Sequence, residues 1–291
     1  MNLFSVKEIH EILSRHGFKF SKSLGQNFLT ERYICEDIAE MSGITPEDSV
    51  LEIGPGIGSL TSVLAPYAKR VISVEIDKAL KPVLDETLAE FPNVKVIFND
   101  ILKCDIAELV RVEFDGSRPK VCANLPYYIT TPIISALIKT KAFETITTMI
   151  QKEVAERICA KPGTPEYGAF TIYVQYYTEP SLLFTVSPDC FEPKPKVQSA
   201  VVIMRPLNTP RVNPKSEELF FKVVRASFAQ RRKQLVNGLF SAFESHMAKS
   251  DIVDILTQLG HPSTVRGEKL SIEEFCTVSD AIYDFIKNKS K

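Results

Sequence analysis

Apolar residues near the start of the chain recur at the spacing that one face of an α-helix requires. Ser5 and Glu8 form a capping box, and the apolar residues from Val6 to Leu13 then share one face. A second helix of similar pattern is predicted over 31–43. The loop between the two helices contains two lysines. Alternating strand and helix patterns begin after the second helix.

From residue 49 to residue 150, short apolar runs alternate with longer amphipathic segments. The runs predicted as strands are 49–54, 70–76, 94–98, 119–123 and 145–150. The helices predicted between them are 59–68, 78–91 and 131–139. This alternation is typical of a parallel, doubly wound sheet. Two more strand-like runs, 181–186 and 199–204, are joined only by a loop, so we expect them to pair antiparallel at one edge.

The pattern changes near 205–214, where three prolines mark a linker. Only helices are predicted beyond the linker, and they cover 216–229, 231–245, 249–259 and 271–287. We therefore predict two domains. Residues 1–207 form an α/β domain that includes the N-terminal helices, and residues 208–291 form a small all-helical domain.

Composition and charge exclude several classes of protein. The 291 residues carry a net charge of −1, so the whole chain lacks the strongly basic balance of many nucleic-acid-binding proteins. The six cysteines and four histidines are scattered without the spacing of metal ligands, so we expect no metal site. No apolar run approaches the roughly 20 residues that span a bilayer, and no signal-peptide core is present. We therefore expect a cytoplasmic protein that contacts no membrane.

Glycines and polar residues stand where four successive strands end. Gly54 ends the first strand and Gly56 follows it, Glu75 lies at the end of the second, Asp100 follows the third and Asn124 follows the fourth. Open α/β sheets bind their ligands at this edge, where glycines let a ligand approach the backbone closely. A carboxylate at the second strand can accept both ribose hydroxyls, and one at the third can accept from an adenine amino group. The series predicts a nucleoside site.

At this point the chain resembles S-adenosylmethionine-dependent methyltransferases of the Rossmann-like class. The pattern E-x-G-x-G-x-G that begins at Glu52 is similar to their first motif, and "NLPY" (124–127) is similar to a motif of enzymes that methylate exocyclic amines of bases. Further segments narrow the resemblance to the KsgA/RsmA family, from about residue 19 onward. They are "KSLGQNFL" (22–29), "QKEVAERI" (151–158), "FEPKPKVQSAVV" (191–202) and "SFAQRRKQL" (227–235).

The resemblance implies an activity, a cofactor and a partner. Enzymes of this family dimethylate N6 of two adjacent adenines in the 3′-terminal hairpin of small-subunit (16S) ribosomal RNA during maturation of the 30S subunit. We therefore expect a seven-stranded, mostly parallel sheet, S-adenosyl-L-methionine as cofactor, and a monomer that acts on a 30S precursor particle. The cofactor-binding residues expected from the strand ends and the resemblance are Gln26, Asn27, Leu29, Gly54, Gly56, Glu75, Ile76, Asp100, Ile101 and Asn124.

The segment "NLPY" suits the chemistry of an adenine amine, whose lone pair is delocalised into the ring. The Asn124 side-chain oxygen and the Leu125 carbonyl can accept the two amino hydrogens, which favours a pyramidal and more nucleophilic nitrogen. Pro126 fixes the backbone so that both acceptors converge. Tyr127 can stack on the flipped base, and the resemblance puts Phe191 on its other side.

Local clusters of basic residues are expected to contact RNA phosphates, although the whole chain is nearly neutral. They precede the cofactor loop, follow Phe191 and lie in the C-terminal domain, which we predict to recognise RNA. The residues are Lys22, Lys194, Lys196, Arg225, Arg231, Arg232 and Lys233.

Three other functions stay open at this stage. An Erm-type methyltransferase of large-subunit rRNA typically has Asn-Ile-Pro-Tyr and a shorter chain, so Leu125 and the length favour the small subunit. A non-catalytic RNA- or DNA-binding factor on the same fold would be expected to lack Asn124 or the glycine loop. Both are intact in this chain, which disfavours that alternative. An NAD-dependent oxidoreductase is disfavoured because Ser59 stands where the dinucleotide fingerprint has its third glycine.

Overall fold

The computed structural model describes residues 2–19, 25–230 and 232–289. The chain divides into two compact units. The first comprises Met1–Ala155 and Pro180–Pro206, and the second comprises Glu156–Glu179 and Leu207–Lys291. The domain boundary predicted between 207 and 208 stays a prediction. One division between the two compact units falls one residue earlier, between Pro206 and Leu207.

The strands build one large sheet and one small one. In chain order they are β1 (Phe28–Leu29), β2 (Ser49–Ile53), β3 (Arg70–Glu75), β4 (Val94–Phe98), β5 (Lys120–Asn124), β6 (Ile146–Gln151), β7 (Thr178–Val186), β8 (Phe191–Glu192) and β9 (Ser199–Pro206). The large sheet has seven strands in the order β4-β3-β2-β5-β6-β9-β7. The five strands from β4 to β6 pair parallel, and β9 pairs antiparallel with β6. The predicted seven-stranded, mostly parallel sheet is confirmed.

The central strands are apolar along almost their whole length because both faces of the sheet are covered. Val50 and Leu51 of β2 are fully buried, and so are Val121 and Cys122 of β5. Parallel sheets show such continuous apolar runs, since helices pack on each face. The two-stranded sheet is separate, and in it β1 pairs antiparallel with β8.

Seven helices of the described residues accompany these strands in chain order. They are α1 (Val6–Arg15), α2 (Arg32–Met41), α3 (Ser59–Leu64), α4 (Lys81–Thr87), α5 (Ile106–Glu113), α6 (Thr130–Thr140) and α7 (Lys152–Ile158). Only half of the predicted capping box at α1 forms. The Ser5 hydroxyl accepts a hydrogen bond from the Glu8 N–H as an N-cap, but the Glu8 carboxylate accepts from the Asn2 N–H, and the Ser5 N–H donates to the Asn2 carbonyl. Helix α5 was not predicted. Its signal is Asp105, whose carboxylate accepts from the Glu108 N–H as an N-cap.

The second unit is helical. Its helices are α8 (Ala169–Tyr177), α9 (Glu217–Phe228), α10 (Leu235–Phe243), α11 (Lys249–Gln258) and α12 (Ile272–Lys289). The sequence analysis assigned 156–179 to the first domain, but this segment packs with the C-terminal helices. Tyr167 and Tyr176 are buried in the same apolar cluster as Phe220 and Phe275, and that burial fixes the segment there.

Residues 2–19, 25–230 and 232–289 contain neither a membrane-spanning helix nor a cluster of metal ligands. No helix in these ranges is long and apolar enough to cross a membrane. No group of three or more His, Cys, Asp or Glu side chains in them is arranged to hold a metal ion.

Gly238 provides a test of the packing between α9 and α10. A methyl group on Gly238 would overlap the carbonyl oxygen of Ala226 on α9, so the two backbones approach this closely only at a glycine. We expect Gly238→Ala to destabilise the chain by about 1–3 kcal/mol in urea denaturation, although alanine favours helices. Ser241→Ala, at an exposed position of α10, is the control. Equal stability of the two variants would contradict this packing.

Candidate active site

A cleft opens at the carboxyl-terminal edge of the sheet in the first unit. Its walls come from β1 and the residues before it, the loop after β2, the end of β3 and the segment after β5. The lining residues are Gly25, Gln26, Asn27, Phe28, Leu29, Gly54, Pro55, Gly56, Ser59, Leu60, Glu75, Ile76, Leu80, Asn124, Leu125, Pro126 and Tyr127. The structure thus brings together most of the residues predicted to bind the cofactor and the base.

The loop between β2 and α3 forms the floor of the cleft. Gly54 has a φ of +71° and Gly56 a φ of +60°, in the left-handed region that favours glycine. The Gly54 N–H donates to the Val74 carbonyl at 2.9 Å, which ties the loop to β3. The absence of side chains at the two glycines leaves the backbone open to a ligand.

Glu75 ends β3 beside this loop and is 4% exposed. One carboxylate oxygen accepts from the Asp77 N–H at 2.8 Å, and the other accepts from the Gly56 N–H at 3.2 Å. Burial disfavours the ionised form and raises the pKa of the Glu75 carboxyl to about 7, against the lowering effect of these two hydrogen bonds. A carboxylate that loses little solvation on binding is well placed to accept hydroxyl donors.

Glu52 is a second buried carboxyl, on β2 next to β3, and the sequence analysis used it only as the first residue of a motif. Its Oε2 accepts from the Thr61 hydroxyl at 2.6 Å and from the Ser73 hydroxyl at 2.7 Å. Burial, together with a smaller effect of the nearby Glu75, raises the pKa of Glu52 to about 7 against the lowering effect of the two hydroxyl bonds. The sequence signal for the buried carboxyl was a glutamate at position 52 within an otherwise apolar strand.

Asn124 lies at the tip of β5 with its amide held in place. The Asn124 side-chain nitrogen donates to the Asn27 carbonyl at 3.2 Å. The Asn27 side chain in turn donates to the Gly25 carbonyl at 3.0 Å, and Gln26 donates to Asp77 at 2.8 Å. The loop before β1 is therefore joined both to the tip of β5 and to the residues after β3.

The residues after Asn124 are anchored to the sheet. The Leu125 N–H donates to the Met149 carbonyl of β6 at 3.0 Å, which fixes the peptide between Asn124 and Leu125. Tyr127 is half-buried, and its hydroxyl bonds to the Ser199 hydroxyl of β9 at 2.6 Å. Burial raises the pKa of the Tyr127 hydroxyl, so it stays protonated near neutral pH. Only the ring of Tyr127 was predicted to act, and this hydroxyl contact was not predicted.

Three predicted residues do not line the cleft. The Asp100 carboxylate accepts from the Leu102 N–H at 3.0 Å just beyond the end of β4, and Ile101 is buried beside it. Phe191 is 2% exposed, lies opposite Leu29 in the small sheet and packs in the apolar core. A stacking role would require the Phe191 ring to leave this core.

The predicted RNA-binding residues lie in both units. Lys22 and Arg231 fall outside the described residues. In the first unit Lys194 forms an ion pair with Asp189 at 2.8 Å, and Lys196 is exposed. In the second unit the exposed predicted residues are Arg225, Arg232 and Lys233. Their contact with RNA stays a prediction.

The doubly wound sheet, the glycine-bearing loop and the acidic residue at the end of β3 define the class of Rossmann-like, S-adenosylmethionine-dependent methyltransferases. Within that class, the chain belongs to the ribosomal RNA adenine dimethylase family, whose model matches residues 17–284. The resemblance stated from the motifs is therefore confirmed.

Comparison with individual proteins agrees with this family. The chain is 47% identical to the ribosomal RNA small subunit methyltransferase A of Alkaliphilus oremlandii. The aligned region of 272 residues covers 93% of this chain and 94% of that relative. A protein of the same name from Clostridium botulinum is 48% identical over 277 residues, or 95% of this chain and 98% of that one.

Two solved structures share the fold over most of the chain. A dimethyladenosine transferase from Plasmodium falciparum superposes with a TM-score of 0.73 at 26% identity and covers 90% of this chain and 98% of its own. The 23S rRNA methyltransferase ErmE superposes with a TM-score of 0.67 at 25% identity and covers 88% and 99%.

The buried Glu52 carboxyl gives the stability of the chain a specific pH dependence. Because its pKa in the folded chain lies above that of an unfolded glutamate, its contribution is fully present below about pH 4.5 and is lost as the pH rises through about 7. We expect Glu52→Gln to gain stability relative to the wild type between pH 5 and pH 8, by about 2–3 kcal/mol. Urea denaturation at several pH values measures this difference.

The control for this experiment is Glu47→Gln, which changes an exposed carboxyl just before β2. Its stability should follow the wild-type pH profile. Parallel profiles for Glu52→Gln and the wild type would show that Glu52 does not titrate in this range.

Proposed function

We propose that this chain transfers methyl groups from S-adenosylmethionine to N6 of two adjacent adenines in the 3′-terminal hairpin of small-subunit rRNA. The observation that carries the proposal is the Asn124 amide at the edge of the cleft. Its nitrogen is engaged by the Asn27 carbonyl, so the side-chain oxygen is the atom of this amide that can accept from an amine. The family and the names of the relatives at 47–48% identity support ribosomal RNA as the substrate.

The residues of the cleft fit S-adenosylmethionine, which supplies an electrophilic methyl group on a sulfonium when bound. Gly54 and Gly56 leave room for a ligand against the backbone, where a side chain would fill the cleft. Glu75 offers two carboxylate oxygens in a mostly buried setting, suited to the two hydroxyls of a ribose. Gln26 and Asn27 border the same cleft and would enclose the amino-acid end of the cofactor.

The residues from 124 to 127 would hold the adenine amine. The Asn124 oxygen and the Leu125 carbonyl accept its two hydrogens, which turns the nitrogen lone pair toward the methyl group. The Leu125 N–H is bonded to β6, which holds the peptide between residues 124 and 125. The Leu125 carbonyl belongs to the next peptide, and Pro126 restricts the backbone of Leu125 there. The Tyr127 ring stacks on the base, and the bond between its hydroxyl and Ser199 limits rotation of the ring. Catalysis on this scheme is alignment of acceptor, methyl group and leaving sulfur.

The scheme needs no general base among these residues. Each transfer leaves the adenine nitrogen as a cation. Loss of its proton to water then gives a secondary amine after the first transfer and a tertiary amine after the second. Phe191 as a second stacking residue, and Asp100 as an acceptor for the adenine of the cofactor, stay predictions, because neither side chain lines the cleft. For both residues the proposal requires a local rearrangement when substrate and cofactor bind.

The substrate form is part of the proposal. A chain with a net charge of −1 lacks a general attraction for RNA, which suits an enzyme whose RNA is presented by a maturing 30S particle in the cytoplasm. Exposed basic residues on each unit would contact phosphates, and we propose that the chain acts as a monomer. Large-subunit rRNA is the less favoured substrate, since the relatives at 47–48% identity are named small subunit methyltransferases, whereas the 23S rRNA methyltransferase ErmE is 25% identical.

The raised pKa of Glu75 predicts how cofactor binding depends on pH. Ribose hydroxyls donate to the ionised carboxylate, so binding below the pKa of about 7 must first remove a proton. We expect the affinity for S-adenosylhomocysteine to rise about tenfold from pH 6 to pH 8 in calorimetry. Glu75→Gln should bind about one to two powers of ten more weakly at pH 8 and lose this dependence.

Glu52→Gln is the matched control for Glu75, because it removes the other buried carboxyl beside the cleft and leaves Glu75 in place. Its S-adenosylhomocysteine affinity should still rise with pH. If the wild-type affinity is flat between pH 6 and pH 8, Glu75 does not meet the ribose as an ionised acceptor.

The proposed activity is tested in cells that lack the chain. Mass spectrometry of their small-subunit rRNA should show loss of N6-dimethyladenosine, and the wild-type chain should restore it. Asn124→Ala should not restore it, because its acceptor acts mainly on the nitrogen during transfer. In single-turnover assays we expect its rate to fall by about 100-fold or more while RNA affinity changes little. Unchanged methylation by Asn124→Ala would make the amide a structural cap on β5.

A further inference from the structure

The Phe28 ring of β1 lies directly against Gly56 in the loop after β2. A methyl group on Gly56 would lie 3.0 Å from Phe28 Cε1 and 3.1 Å from Cδ1, which is closer than carbon atoms normally approach. The ring is also 5% exposed. The loop therefore occupies its position only because residue 56 has no side chain. The Phe28 ring limits how far the loop can move toward β1.

The Phe28 ring is itself held on several sides. It belongs to one buried apolar cluster with Ile9 and Ile12 of α1, Ile57 of the glycine loop and Leu80 beside the cleft. A close-packed ring of this kind has one low-energy position. The N-terminal helix α1 thereby supports the glycine loop through Phe28, which gives the helix a physical connection to the cleft.

The backbone around Phe28 reaches the other side of the cleft. The preceding residue, Asn27, accepts the hydrogen bond of the Asn124 amide at 3.2 Å. Phe28 pairs with Glu192 of β8, and the next residue pairs with Phe191. Strand β1 and the residue before it therefore connect two parts of the site. One is the glycine loop proposed to bind the cofactor, and the other is the Asn124 amide proposed to bind the adenine amine.

We propose that Phe28 is a positioning residue for the methyl transfer. Its ring sets the glycine loop and its strand sets the Asn124 amide, so it fixes the separation between cofactor and acceptor. The inference rests on the proposed function, because that function places the cofactor at the glycine loop and the substrate adenine at Asn124, on opposite sides of β1. A displacement of about 1 Å between reacting groups can lower a transfer rate about 100-fold.

The test is Phe28→Leu, which keeps an apolar side chain but removes the flat ring from Gly56. We expect S-adenosylhomocysteine to bind about tenfold more weakly in calorimetry. The single-turnover rate with saturating S-adenosylmethionine and unmethylated small-subunit particles should also fall by about tenfold or more. Saturation removes the effect of weaker binding, so the loss of rate reports alignment rather than affinity.

Val83→Ala is the matched control. Val83 is fully buried in the same apolar cluster, on α4, and it does not line the cleft. Its loss should lower the denaturation midpoint as Phe28→Leu does, while affinity and saturated rate stay within about twofold of the wild type. Hydrogen exchange of the amides at residues 54 and 56–58, without cofactor, should speed up in Phe28→Leu and not in Val83→Ala.

A double-variant cycle separates contact from general destabilisation. Gly56→Ala should weaken S-adenosylhomocysteine binding less in the Phe28→Leu background than in the wild type, by a factor of about five or more, because the clashing ring is gone. Phe28→Met replaces Phe28→Leu if the latter does not fold. A folded Phe28 variant with wild-type saturated rate overturns this inference alone. A wild-type chain that binds no S-adenosylhomocysteine overturns the proposed function and this inference with it.

Discussion

Parallel pairing of β2 with β3 and with β5 is the constraint on which the site depends. The register runs from Ser49 opposite Arg70 to Ile53 opposite Val74, so neighbouring strands end together at one edge. Residues that are far apart in the chain meet there because each follows or ends a strand of the same direction. A strand shifted by one residue would turn Glu75 to the other face of the sheet and remove it from the cleft.

The same edge carries an electrostatic cost. Glu52 and Glu75 lie on adjacent strands, and burial raises the pKa of each carboxyl to about 7. The charge of Glu75 also raises the pKa of Glu52, and the charge of Asp77 raises that of Glu75. Hydroxyl groups of Thr61 and Ser73 offset part of this cost at Glu52. At Glu75 each carboxylate oxygen accepts one backbone N–H, and the carboxylate lines the cleft, where a ligand can supply further donors. Sites with perturbed carboxyl groups of this kind are typical of function rather than of stability.

The sequence by itself determined the seven strands of the large sheet, their mostly parallel pairing and the class of the protein. Periods of apolar residues are local signals, and the glycine at 54 and the carboxyl at 75 stand beside strands that those periods define. The motifs around 124–127 were equally local, and they led to the family that comparison then identified. Helix α5 was missed because its short amphipathic pattern lies in a segment without a neighbouring motif.

Contacts between distant parts of the chain were decided only in the tertiary structure. The bond from Asn124 to Asn27 joins residues 97 positions apart, and the hydroxyl bond of Tyr127 reaches across 72 positions. The burial of Phe191 and the packing of 156–179 against the C-terminal helices were likewise not predicted. The physical reason is the same in each case. Periodicity shows which face of an element is buried, whereas packing of the whole chain selects the partner that buries it.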